Sequence, residues 1–143
     1  MKLPTSPDEC YCFAARQAAR RITRLYEKHL APVELTSAQF SILMLLKHHP
    51  GLGMNALAAE MAMDRTTLLR ALQPLKRDRL VMSHPSETDS RQVLFSLTEP
   101  GQRKVEAAIR LWQKAQAEFE AEVGSARATR MRRDLLESGR LTG

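Results

Sequence analysis

The polar residues between Arg65 and Arg77 fall at steps that place them on one side of a helix. On a helical projection Leu68, Ala71, Leu72 and Leu75 cluster together, while Arg65, Thr66, Leu69, Arg70, Gln73 and Arg77 point the other way. The outward set has the chemistry to read base edges. Arginine can donate two hydrogen bonds to guanine O6 and N7, threonine offers a hydroxyl and a methyl, and leucine can touch a thymine methyl. Asp64 precedes the segment as an N-cap, and a capped helix start carries unpaired amides that suit phosphate. The same face also fits an ordinary solvated helix, so the choice rests on what surrounds it.

Few other groups in the chain could support chemistry. Cys10 and Cys12 sit two apart, a spacing that suits neither a disulfide framework nor a zinc site without a second ligand pair. His48 and His49 point to different faces of a helix end and have no partner at metal-ligand spacing. No Ser-His-Asp order, metal cluster or glycine-rich phosphate loop can be assembled. The chain is therefore expected to be no enzyme and to carry neither cofactor nor metal. A net charge of +6 and a pI near 9.8 favour a polyanionic partner but are weak evidence alone.

The elements that must hold the polar face can be read from pattern. With 143 residues, 43% hydrophobic and 27% charged, the chain has the composition of one globular domain. It lacks a run of about eighteen apolar residues, so it is expected in the cytoplasm, neither exported nor membrane-spanning. Tyr11, Ala15, Ala18, Ile22 and Leu25 predict an amphipathic helix over residues 8–30, with Arg16, Arg20, Arg21, Arg24 and Lys28 on its other side. Thr36-Ser37-Ala38-Gln39 is a capping box, and from Phe40 to Leu46 only Ser41 is polar, which marks a buried helix ending at His48-His49-Pro50-Gly51.

A short helix over Asn55 to Met61 comes next, separated by Ala62-Met63 from the helix of the polar face, where Pro74 predicts a kink or weakening near Arg70 to Gln73. Val81 to His84 and Gln92 to Leu97 are β-prone runs flanking a polar loop, hence a hairpin. Thr98 caps a long helix striped by Val105, Ala108, Trp112, Ala115 and Phe119, and a last helix follows from Ser125 to Glu137. A helix, a turn, a polar-faced second helix and a hairpin in close order describe a helix-turn-helix whose second helix enters the major groove.

Asp64-Arg65-Thr66-Thr67-Leu68-Leu69-Arg70-Ala71-Leu72, then Leu80-Val81, Asp89-Ser90-Arg91 and Leu97-Thr98-Glu99-Pro100-Gly101, resembles the MarR family in order and spacing. The resemblance implies a mainly α fold with a small β-hairpin wing. It implies one domain over 1–143, with a winged helix-turn-helix lobe at about 36–97 and dimerisation helices at about 8–30 and 99–139. It also implies a homodimeric regulator of transcription that binds double-stranded DNA at a palindromic operator, a repressor by family habit. Arg65, Thr66, Thr67, Leu69, Arg70, Gln73 and Arg91 would then be the DNA-binding residues. Arg91 would enter the minor groove from the wing, steadied by Asp89. Leu69 stands where the family often has threonine or serine, so its base preference is expected to differ.

Two further expectations follow from the resemblance. A small aromatic or anionic effector would bind where the first, second and long helices meet, with Phe13, Met44 and Trp112 as apolar walls and Arg16 or Arg20 meeting a carboxylate. Packing alone accounts for these five residues equally well. Cys12-Phe13-Ala14 resembles the reactive-cysteine region of the family's organic-peroxide sensors, but Ser37 and Phe40 stand near the places where those sensors carry tyrosines. Cys10 and Cys12 are therefore expected to be small packing residues, and peroxide sensing is the alternative function. A third reading is a module that binds protein instead of DNA.

Overall fold

The computed structural model describes residues 2–143. Its helices are α1 (Tyr11–Leu30), α2 (Ser37–His48), α3 (Met54–Met61), α4 (Arg65–Arg77), α5 (Glu99–Val123) and α6 (Ser125–Thr142), and its strands are β1 (Leu52–Gly53), β2 (Val81–Pro85) and β3 (Val93–Leu97). Two compact units are present. One contains Leu30–Arg110 and the other 2–29 with 111–143, so the long α5 contributes to both.

The Leu30–Arg110 unit holds nearly all the buried large side chains: Phe40, Ile42, Leu43 and Leu46 of α2, Leu57 of α3, Leu68, Leu72 and Leu75 of α4, Val81, Phe95 and Val105. Three helix starts in it, those of α2, α4 and α5, have a local side-chain cap. The Thr36 hydroxyl accepts from the Gln39 amide at 3.1 Å, and the Gln39 side chain accepts from the Thr36 amide at 3.0 Å, the reciprocal pair that the sequence predicts. Asp64 caps α4 by accepting from the Thr67 amide at 2.7 Å, and the Thr98 hydroxyl accepts from Gly101 at 3.0 Å in the first turn of α5.

Four expectations change. The last helix runs on to Thr142, past its expected end at Glu137. The first helix begins at Tyr11, because Ser6 caps a separate short 3-10 turn, Pro7–Glu9, ahead of it. The helix of the polar face runs through Pro74 to Arg77 without a break. Proline removes its own donor and crowds the carbonyl of Arg70, and Leu72 and Leu75 on either side, almost wholly buried, hold that turn in place. The hairpin shifts by one residue at each strand: Pro85 pairs with Val93 and Gln92 joins the loop. Proline is tolerated there because β2 lies at the edge of a sheet ordered β1-β3-β2. The two-residue β1 has no sequence signal of its own; it pairs Leu52 with Phe95 and Gly53 with Leu94.

In the second unit the α1 and α5 helices are tied by Lys28 to Glu118 at 3.0 Å, by a short His29–Glu118 contact and by a short Tyr26–Gln116 hydrogen bond. The His29 contact first and Lys28 next hold the Glu118 carboxyl below its ordinary range, while burial and then Glu120 raise the Tyr26 phenol. Among the described residues no single helix is long and apolar enough to cross a membrane.

Candidate nucleic-acid interface

The outer side of α4, the loop and β3 strand of the β2–β3 hairpin and the β1–α3 junction enclose an open groove of about 960 Å³. Its floor and walls include Arg65, Thr66, Leu69, Arg70, Gln73 and Lys76 from α4, Arg91 and Gln92 from the hairpin loop, and Gly53 to Ala56 from the β1–α3 junction. This division follows from burial. Leu68, Leu72 and Leu75 anchor α4 in the core, which forces the residues between them toward solvent.

Six of the seven residues singled out for DNA contact line this one groove. Thr67 does not; it lies in the first turn, where its amide bonds Asp64. That bond first, the Thr67 side chain next and Arg70 last hold the Asp64 carboxyl below its usual range. The cap is therefore intact above the ordinary carboxylate range and is lost only as pH falls through the lowered value.

The hairpin loop is built to present Arg91. Asp89 Oδ1 accepts from the Arg91 amide at 3.1 Å, the Asp89 carbonyl accepts from the Gln92 amide at 3.0 Å, and Gln92 O accepts from Ser86 at 2.9 Å. The Arg91 guanidinium, 3.6 Å from the same carboxylate, is almost fully exposed. An ion pair so open contributes little, so Asp89 acts mainly on the loop backbone.

Gly53, Met54, Asn55, Ala56, Lys76 and Gln92 were not expected in the groove. Lys76 could have been found from the projection of α4. Gln92 follows Arg91 in the hairpin loop, and Gly53 to Ala56 arrive through β1, whose pairing with β3 brings the start of α3 beside the hairpin. Arg77, which the projection places outward, pairs instead with Asp78 at 3.2 Å and does not line the groove.

The residues considered for an effector are divided. Phe13, Arg16, Arg20 and Trp112 belong to the unit of the chain ends, and Met44 to the other. None of them lines the apolar hollow of about 240 Å³ formed in the first of these units by α1, α5 and α6. Cys10 and Cys12 are both exposed, so they do not pack within the chain as expected; the first turns of α1 are bare on nearly every side. Among the described residues no group of His, Cys, Asp and Glu could hold a metal ion.

A family model for the MarR family matches residues 35–93. Over 98 residues the chain is 32% identical to the organic hydroperoxide resistance transcriptional regulator of Bacillus subtilis, covering 68% of this chain and 67% of that one. The transcriptional regulator MosR of M. tuberculosis, in a complex with DNA, is 36% identical with a TM-score of 0.84 over 94% of this chain and 96% of its own. The chain belongs to the MarR family.

The transcriptional repressor CouR, bound to a 23-mer DNA duplex, is also similar, at 27% identity and a TM-score of 0.77 over 99% of this chain and 98% of that one. Among the curated relatives matched first, the chain spans from 50% to 67% of their length. This MarR-family chain is a DNA-binding transcriptional regulator and not an enzyme.

Proposed function

We propose that the chain represses transcription by binding a palindromic operator as a homodimer, with α4 in the major groove and Arg91 in the flanking minor groove. The observation that carries this is the single groove joining Arg65, Thr66, Arg70 and Gln73 to Arg91. Pairing of two copies is supported by the apolar side chains left bare at the chain ends: Tyr11 is 93% exposed, Leu141 81%, and Leu135 and Leu136 more than half. Such a role belongs in the compartment that holds the chromosome.

Footprinting on recovered genomic fragments, with sedimentation of the protein alone and with DNA, tests this. Two protected half-sites centred about 34–36 Å apart on one face of the duplex are expected, with two chains bound. A monomer that binds at full affinity would overturn the dimer, and equal binding to competitor DNA would overturn the regulator.

Release from DNA is the second half of the proposal. By the family resemblance the signal is a small aromatic or anionic molecule, which must prefer the conformation that does not bind DNA. The similarity to the hydroperoxide regulator and the exposure of Cys10 and Cys12 favour a second signal, oxidation of a thiol. One retardation experiment separates them. Aromatic acids are expected to release both wild type and Cys12→Ser; release by an organic hydroperoxide that Cys12→Ser abolishes would establish the thiol instead.

A further inference from the structure

Leu69 lies at the centre of the groove's reading face. Arg65 is one turn before it, Gln73 one turn after, and Thr66 and Arg70 stand alongside, all lining the same groove. It is 45% exposed, while Leu68, Leu72 and Leu75 on the same helix are at most 1% exposed. An exposed leucine needs no explanation in general. Here its neighbours on the outward face of α4, Arg65, Thr66, Arg70 and Gln73, are donors and acceptors, and Leu69 alone on that helix face cannot make a hydrogen bond.

Base edges in a major groove offer donors and acceptors, and the one apolar group among them is the 5-methyl of a pyrimidine. Against any other edge Leu69 would strip water from a polar atom and return no hydrogen bond, which is unfavourable. Against a methyl it gains the burial of one apolar carbon, about a fourfold effect on binding. Arg65 and Gln73 each lie about 6 Å along the helix axis from it, so the hydrogen-bonding contacts flank the position that Leu69 meets.

Resting on the reading of this groove as a DNA interface, we propose that Leu69 reads the 5-methyl group of a pyrimidine at one position of each half-site. Thymine is preferred there, and 5-methylcytosine binds better than cytosine. The preference is separate from the readout by Arg70, because it follows a methyl and not a hydrogen bond.

The test is binding of the full chain to its recovered operator with each thymine replaced in turn by deoxyuridine. This removes the methyl and leaves every hydrogen-bonding atom of the base. Wild type is expected to lose about fourfold at one position per half-site. With cytosine at that position, 5-methylation should recover a similar factor. Leu69→Ala should show neither effect and should keep the wild-type dependence on salt.

A wild type indifferent to deoxyuridine throughout, with operator preference intact, overturns the methyl proposal alone. Sensitivity that persists in Leu69→Ala assigns the methyl to another residue and overturns it as well. A wild type that does not distinguish operator from competitor overturns the DNA reading and this proposal together.

Discussion

Replacing Arg70 by alanine is expected to weaken operator binding by about 5- to 150-fold, equivalent to about 1–3 kcal/mol, and to relax the preference at one base pair per half-site. Arg70 is exposed on α4 within the groove, one residue from Leu69 and two from buried Leu68, so its Cα is held by the core while its guanidinium is free to reach a guanine edge. Alanine favours the helix, so folding should not suffer.

Arg91→Ala should act differently. The guanidinium sits on a loop held by backbone bonds to Asp89, and a narrow A·T minor groove attracts it through negative potential. Its loss should weaken binding to A·T-rich flanks and flatten the slope of log K against log salt by about one, with little change in preference inside the half-site. Fluorescence anisotropy over a salt series with operator variants measures both effects. Unchanged affinity and slope in both variants would overturn the groove assignment.

Gly101→Ala is expected to lower stability by about 3 kcal/mol or more, at or beyond the usual range for overpacking, and the melting temperature by on the order of 10 °C. A Cβ at Gly101 would lie 1.9 Å from the Leu80 carbonyl oxygen and 2.9 Å from its carbon. The obstacle is backbone, so no rotamer change relieves it. That oxygen also accepts from the Thr98 amide at 3.1 Å, and Arg79 beside it holds a positive φ of 58°. The junction between α4 and β2 is thereby locked to the start of α5.

Separating the two would disturb the strand that carries one side of the wing, so DNA binding should fall with stability. Gly139→Ala is the control, since nothing lies within 4 Å of its Cβ position and alanine suits a helix interior. Its melting temperature should stay level or rise. Equal melting of wild type and Gly101→Ala would show that the junction yields and would remove this account of the glycine.

Much of the molecule follows from local rules and is therefore legible in the chain alone. Thr36 with Gln39, and Asp64 ahead of Arg65, mark helix starts because the caps bond amides only three residues away. The division of α4 into a buried leucine side and a polar side follows from the helical period, since both faces are set by residues within thirteen positions. The MarR resemblance likewise rests on short motifs in order.

What the chain alone could not decide depends on partners far away in sequence. Leu52–Gly53 has no period to detect, and it becomes a strand because Leu94 and Phe95, some forty residues later, supply the hydrogen bonds. That pairing places Asn55 in the groove. Tyr11 and Cys12 read as positions on a helix, but their exposure depends on what the rest of the fold leaves uncovered. Gly101 is a motif letter until the Leu80 carbonyl is set against it. Burial, pairing and close approach are properties of two segments at once, and only the tertiary structure brings both segments together.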